Sequence, residues 1–188
     1  MTTTTRYAVL LRGVNVGGPR KVPMAELRGV LAGLGHTDVR TYLQSGNAFF
    51  TTASGAGENA LAGAIERALE ERFGFRVDCL VRGGPYLRAV ADDCPFPAAE
   101  LEPRQLHVTY FSAPVTADRF AALDADAHLP EEFRLGDRVL YLYAPDGLGR
   151  SKLAAALARP AVVRGLVATT RNWNTVLKLA EMAQETGG

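Results

Sequence analysis

The order of strand-like and helix-like segments constrains the fold of this chain more than any other feature of its sequence. In the first part, hydrophobic periodicity predicts a strand at 7–11, a helix at 24–34, strands at 39–43 and 48–52, a helix at 61–73 and a strand at 76–81. This order is β-α-β-β-α-β, which is the ferredoxin-like arrangement. The turn residues of QSGN lie between the two middle strands, which are therefore expected to form a hairpin.

A similar order of segments recurs in the second part of the chain. The pattern predicts a strand at 106–110, a helix at 117–125, strands at 133–135 and 139–143, a helix from Ser151, a strand at 166–169 and a last helix from Thr170 to Ala183. The sequence therefore predicts an α+β fold of two consecutive ferredoxin-like halves, at 1–82 and 104–188. Two four-stranded antiparallel sheets, or one continuous sheet made from them, are expected, with the helices packed on one side of each half. Residues 83–103 are expected to form a linking helix and a connector.

The composition is that of an ordinary globular protein. The 188 residues are 47% hydrophobic and 22% charged, with a formal net charge of +1, which excludes a disordered chain and argues against a dedicated nonspecific nucleic-acid binder. Cys79 alternates with Val77 and Val81, which predicts a buried thiol, and two cysteines make no disulfide framework. Neither a signal peptide nor an apolar run of roughly 20 residues is present. A cytoplasmic location without membrane contact is expected.

Three loop segments have a composition that suits anion binding: RGVNVGG at 12–18, GLGRSK at 147–152 and TTRNWNT at 169–175. The first is not a Walker loop, because the spacing from glycine to lysine and the final Ser/Thr are missing. It is not a dinucleotide fingerprint either, because no helix follows it directly. Its glycines suit an anion or simply a backbone with positive φ, and both interpretations stay open.

The second segment has the pattern of a capped helix start. Ser151 is a candidate N-cap, and Arg150 and Lys152 flank it. The free N–H groups and partial positive charge of a helix start suit phosphate or carboxylate. An ordinary capped helix with two solvated basic residues has the same pattern. The segment alone therefore does not distinguish an anion site from an ordinary helix start.

The third segment also has the pattern of a capped helix start, at the beginning of the last helix. Thr170 is expected to cap this helix, which places three polar side chains in its first turn near solvent: Arg171, Asn172 and Asn174. Trp173 shares one helical face with three apolar residues, Val176, Leu177 and Ala180. Trp173 is therefore expected to be a core residue rather than a stacking platform.

Catalytic and metal-binding patterns are absent from the sequence. The three histidines, His36, His107 and His128, are scattered without the spacing of metal ligands or of a catalytic triad. No metal is expected, and no catalytic residue or cofactor follows from the sequence. An RNA-recognition motif shares the predicted element order, and Tyr7, Phe49 and Phe50 lie on the corresponding strands. The basic-glycine-aromatic pattern of that motif is missing, which argues against it.

Four segments together carry a resemblance to a known family: LLRGVNVGG, KVPMAEL, VRTYLQSGN and TTRNWNTVLKLAEMA. In combination they resemble the domain of unknown function 1697 family of small bacterial proteins, over essentially the whole chain. The resemblance implies an α+β fold with ferredoxin-like parts and supplies no catalytic residues. The segment ARPAVVRGLVATTRNW is longer than the resemblance implies, which leaves the end of the penultimate helix open.

Strand topology predicts where the three loops lie. Antiparallel pairing of the first and third strands puts RGVNVGG beside QSGN, and the same geometry puts GLGRSK beside TTRNW. If the linking helix inverts the second half, all four segments border one cleft between the halves. The expected ligand is a small anionic molecule, and a phosphate group is one candidate for its charged part. The expected ligand-binding residues are Arg12, Asn15, Lys21, Ser45, Asn47, Arg150, Ser151, Lys152, Arg171, Asn172 and Asn174.

Two other functions stay open at this point. The chain is alternatively a single-stranded nucleic-acid-binding module that uses its sheet face, or an interaction module without a ligand. The sequence assigns neither a reaction nor a cofactor nor an oligomeric state.

Overall fold

The computed structural model describes residues 2–44 and 46–184, which divide into two compact units. One unit runs as far as Arg88 and includes the chain from Leu179 onward, and the other is Ala89–Lys178. Eight strands and six α-helices lie within the described residues. In that part of the chain, no helix has both the length and the apolar character needed to span a bilayer.

The first unit is built on a four-stranded antiparallel sheet with the order β2-β3-β1-β4. Its elements are β1 (Thr5–Leu11), α1 (Met24–Gly33), β2 (Thr37–Tyr42), β3 (Asn47–Thr52), α2 (Glu58–Phe73) and β4 (Cys79–Gly83), followed by α3 (Gly84–Asp92). Side chains alternate between the two faces of a strand. Leu11 and Phe50 therefore pack with Leu27 of α1 and Ile65 of α2 in one core.

The second unit has a sheet with the equivalent antiparallel order, β6-β7-β5-β8. Its elements are β5 (Leu106–Phe111), β6 (Glu132–Gly136), β7 (Val139–Tyr143), α4 (Lys152–Leu157), α5 (Pro160–Val163) and β8 (Ala168–Asn172). The last helix, α6 (Trp173–Met182), begins in this unit, which ends at Lys178. Phe111 and Leu142 of the sheet pack with Leu153 and Leu157 of α4. The core of this unit is thus formed by one face of the sheet and the helix that follows β7.

The predicted α+β class is confirmed, with two four-stranded antiparallel sheets. The helix predicted at 117–125 is wrong, because this stretch forms two short 3-10 turns at Ala117–Phe120 and Ala125–His128. Asp124 and Asp126 interrupt the apolar pattern, and aspartate favours turns and caps over helix interiors. The second sheet therefore lacks a counterpart of α1, and a duplication of ferredoxin-like halves stays a prediction.

The start of the last helix differs from the predicted one. This helix begins at Trp173 rather than near Thr170, and the preceding strand extends to Asn172 rather than ending at 169. Pairing of Asn172 with His107 of β5 continues the ladder through these residues. The side-chain oxygen of Asn172 then accepts a hydrogen bond from the N–H of Thr175 at 3.0 Å, so the expected cap at Thr170 is wrong.

The buried face of α6 is largely the one that the sequence predicts. Trp173 is 7% exposed, and Val176 and Ala180 are also buried, which confirms the ring as a core residue. The predicted position of Leu177 on the buried face is wrong, because Leu177 is 45% exposed. Leu179 is buried instead. Cys79 is buried as predicted, although its strand begins there rather than at Arg76.

Candidate anion-binding site

The loop between β1 and α1 is held in shape by the side chain of Asn15. The Nδ2 group of Asn15 donates to the carbonyl oxygens of Val22 at 2.8 Å and Gln44 at 2.6 Å, and its Oδ1 accepts from the Val22 N–H at 2.9 Å. Asn15 has a φ of 57°, which asparagine tolerates better than most residues. The side-chain amide of Asn15, which is a predicted ligand contact, thus closes the loop and joins it to the β2–β3 hairpin.

The hairpin contacts the same loop through its backbone. Leu11 donates its N–H to the carbonyl of Gly46 at 2.8 Å, and the fully buried Asn47 donates from Nδ2 to the carbonyl of Tyr42 at 3.1 Å. Asn47 therefore has a structural contact within the hairpin. Ser45, which was also expected at the site, lies outside the described residues.

The backbone of this loop alternates in the sign of φ. Gly13, Asn15 and Gly17 have φ values of 67°, 57° and 90°, and the intervening Val14 and Val16 are not among the described residues with positive φ. Alternation of this kind forms anion-binding concavities in proteins. In this loop the Asn15 N–H, in the middle of the series, donates to the carbonyl oxygen of Arg20 at 3.0 Å. In the described part of the chain, the N–H groups of Val14, Val16 and Gly17 have no hydrogen-bond acceptor.

Three arginine side chains belong to the loop or to the chain paired beside it, and two of them share one carboxylate. Arg76 Nε lies 3.1 Å from Asp78 Oδ1, and Arg12 Nη1 lies 3.9 Å from Asp78 Oδ2. Arg20 donates to the carbonyl oxygen of Arg76, and its guanidinium lies over the ring of Phe75 at 5.7 Å. Two guanidinium groups, those of Arg12 and Arg76, thus pair with Asp78, and the third contacts the backbone of Arg76. We call Arg12, Arg20 and Arg76 the arginine cluster.

Charge at this surface is strongly unbalanced. Lys21 follows Arg20 and is exposed, so the loop and the arginine cluster carry four cationic side chains. Two carboxylates lie near them: Asp78, which pairs with two arginines, and Glu66, which accepts from the Cys79 N–H at 3.1 Å. Sequence reasoning selected Arg12 and Lys21 and missed Arg20 and Arg76. The signal for Arg76 is the pairing of Leu11 with Cys79, which brings the chain before β4 beside the loop after β1.

In the second unit, the start of α4 already holds a carboxylate of the chain itself. Ser151 is the predicted N-cap, and its hydroxyl accepts from the Ala154 N–H at 2.8 Å and donates to Glu131 Oε2 at 2.6 Å. The same Glu131 oxygen accepts from the Leu153 N–H at 3.1 Å. Glu131 also lines a cavity of about 230 Å³ with Asp126 and Glu132. This acidic surrounding disfavours a second anion next to Ser151, although Arg150 and Lys152 are exposed.

The expected position of Arg171 in a solvent-exposed helix turn is wrong. Arg171 pairs with Val108 in the sheet and is buried, and its Nη1 donates to Thr169 Oγ1 at 2.6 Å and to the Thr170 carbonyl at 3.0 Å. Burial lowers the pKa of Arg171 to about 10. Its neighbour Asn172 caps α6, and Asn174 is exposed on that helix. That these residues share one site with the loop after β1 stays a prediction.

Two histidines have a buried ring nitrogen. Among the described residues, the Nδ1 atoms of His36 and His107 are buried without a hydrogen-bond partner, and burial lowers the pKa of both side chains below 6.5. His36 also stacks on Phe50, with ring centroids 4.3 Å apart. No group of three His, Cys, Asp or Glu side chains in the described chain is arranged to hold a metal ion.

We expect the stability of the protein to fall as the pH drops below about 6.5. The unfolded chain then binds protons that the folded His107 does not bind, and the free energy of unfolding decreases with each proton so taken up. The variant His107→Leu should show a flatter dependence of its urea midpoint on pH than the wild type. Parallel profiles for the two proteins would show that His107 does not contribute to the pH dependence.

Comparison with known proteins places the chain in a family. The family model described as "Protein of unknown function (DUF1697)" matches residues 4–141, which include the loop after β1, the hairpin and the arginine cluster. The chain belongs to the DUF1697 family. A search of curated proteins finds no match. Among solved structures, this DUF1697 chain is similar to the conserved bacterial protein SP0830 from Streptococcus pneumoniae, with 25% identity and a TM-score of 0.74 over 97% of this chain and 100% of that one.

Proposed function

We propose that this DUF1697 protein binds a small anionic, phosphate-bearing ligand at the loop between β1 and α1. The observation that carries the proposal is the arginine cluster, in which Arg12 and Arg76 pair with Asp78 and Arg20 donates to the carbonyl oxygen of Arg76. Guanidinium groups held together repel one another unless an anion balances them. Arginine also has the planar fork of N–H donors that phosphate oxygens accept best.

The backbone of the loop supports the same ligand. Three residues of the loop, Gly13, Asn15 and Gly17, have positive φ, and the N–H groups of Val14, Val16 and Gly17 have no acceptor in the described chain. Glycines let a backbone approach an anion closely. The ligand is thus held by main-chain donors and by guanidinium groups, in a loop whose shape is fixed beforehand by Asn15.

A single-stranded nucleic acid bound on the first sheet is less compatible with the structure. Such binding needs exposed aromatic rings on the central strands, on which bases can stack. Phe49 and Phe50 are fully buried, so neither ring is accessible to a base. An oligonucleotide remains a useful arm of the test, because its phosphates would bind the basic loop with a steep dependence on salt.

The proposal is tested by thermal unfolding in the presence of inorganic phosphate, nucleotides, sugar phosphates and short oligonucleotides. A ligand at a hundred times its Kd stabilises the native state by about 2.7 kcal/mol, which raises the melting temperature of a chain of this size by about 5–10 °C. Arg76→Ala should reduce the affinity about tenfold to a hundredfold, as expected for the loss of a charge-assisted hydrogen bond.

The matched control for this experiment is Arg104→Ala. Arg104 is also exposed and also paired with one carboxylate, that of Glu102 at 2.7 Å, but it lies in the second unit. The control variant should keep the full phosphate-induced shift. Equal shifts in Arg76→Ala and Arg104→Ala would contradict a site at the arginine cluster. The absence of any shift with all ligands would favour an interaction module instead.

A further inference from the structure

Two exposed aliphatic side chains flank the hydrogen bond that joins the loop after β1 to the hairpin. Val16 is 73% exposed and Leu43 is 54% exposed. Asn15 Nδ2 donates to the carbonyl oxygen of Gln44 at 2.6 Å. Val16 directly follows Asn15 in the chain, and Leu43 directly precedes Gln44. Scattered exposed aliphatic residues are common, but these two each adjoin the same loop contact, and we call the pair the apolar surface.

This apolar surface lies next to the basic one. The N–H of Asn15 donates to the carbonyl oxygen of Arg20 at 3.0 Å, so the chain from Asn15 to Arg20 returns on itself. Val16 is therefore held in the same short loop as Arg20 and Lys21. An anion bound at the arginine cluster would have an aliphatic surface within reach, beside the N–H groups of the loop.

The backbone at Leu43 is strained in the conformation that exposes its side chain. Leu43 has a φ of 61°, in the left-handed region where a bulky residue is a genuine outlier. Asparagine or glycine would adopt this conformation at lower cost and would not leave an apolar side chain in water. Strain of this kind is concentrated at functional sites, where the side chain serves a purpose other than stability.

We infer that the ligand of this site is an amphiphilic anion, whose charged group binds the arginine cluster and whose apolar group packs on Val16 and Leu43. The inference rests on the proposed function and specifies its ligand class as an alkyl or aryl phosphate rather than inorganic phosphate. A methylene that is partly buried on an open aliphatic surface contributes about threefold to affinity. A short alkyl chain that buries two methylenes should therefore bind about tenfold more tightly than phosphate alone.

The experiment compares butyl phosphate with inorganic phosphate by isothermal titration calorimetry, on the full chain and on two variants. We expect the Kd of butyl phosphate to be about tenfold lower in the wild type. In Leu43→Asn, the melting temperature of the free protein should rise, because the strain at φ 61° is relieved, while the preference for butyl phosphate falls to about threefold or less. Val16→Ser should also reduce this preference, without the gain in stability.

The control variant is Leu129→Asn, which replaces a leucine that is 58% exposed in the second unit. It should keep the wild-type preference for butyl phosphate. Equal affinities for butyl phosphate and inorganic phosphate in the wild type overturn this inference and leave the anion site intact. A preference that persists in both Leu43→Asn and Val16→Ser overturns it as well. Binding of neither compound overturns the proposed function together with it.

Discussion

Replacement of Trp173 by alanine is expected to lower the free energy of unfolding by about 3–5 kcal/mol, as for other large aromatic residues in protein cores. Trp173 is 7% exposed at the first position of α6, and Val176, Leu179 and Ala180 of the same helix are also buried. Loss of the ring removes a large apolar surface and leaves a cavity that the surrounding side chains fill only in part. Urea unfolding, followed by circular dichroism, measures the effect.

Leu177→Ala provides the control on the same helix. Leu177 is exposed, so its truncation should change the free energy of unfolding by no more than about 0.5 kcal/mol. If Trp173→Ala had the same urea midpoint as Leu177→Ala, the indole ring would have to be exposed in solution. The ring would then be available for stacking on a ligand, contrary to its position in the core.

The second large effect is expected at Gly46, where the loop after β1 meets the hairpin. Gly46 has a φ of 91°, and a Cβ atom at this position would lie 2.9 Å from both Leu11 Cβ and Val14 Cγ2. Alanine would therefore combine an unfavourable backbone conformation with an overlap in the core, and we expect Gly46→Ala to cost about 2–4 kcal/mol. The midpoint of urea unfolding reports this loss.

Gly17→Ala separates the two contributions at Gly46. Gly17 has nearly the same φ of 90°, but a Cβ atom there would have no neighbour within 4 Å. Only the backbone term remains, so this variant should cost about 1–2 kcal/mol. An equal loss of stability in the two variants would show that the close approach of Gly46 to Leu11 and Val14 is absent in solution.

The sequence predicts the adjacency of loop and hairpin well because antiparallel topology alone determines it. Once β1 and β3 pair, the end of β1 and the start of β3 lie at the same end of the sheet. This proximity allows the hydrogen bond between Asn15 and Gln44. The role of Asn15 was not predictable in the same way. An asparagine between glycines suits a ligand contact and a left-handed turn equally, and only the distances to Val22 and Gln44 distinguish the two.

Contacts between residues remote in sequence account for the other differences between the predictions and the structure. Arg76 contributes to the candidate site through the register of β1 with β4, which periodicity cannot fix to the residue. At Thr170, the sequence allows a helix cap or a β-branched strand residue, and pairing with β5 decides for the strand. Glu131 reaches the start of α4 from 20 residues away, so the sequence gives no sign that this helix start already holds a carboxylate.

The central claim is that the loop between β1 and α1 binds an anion through its backbone and the arginine cluster. Titration of the ¹⁵N-labelled protein with inorganic phosphate, followed by ¹H–¹⁵N correlation spectra, tests this claim residue by residue. We predict saturable shifts of the amide signals of Val14, Val16 and Gly17, because their N–H groups would donate to the anion. The same shifts should be strongly reduced in Arg76→Ala. Saturable shifts confined to the start of α4, or none at all, would contradict the account.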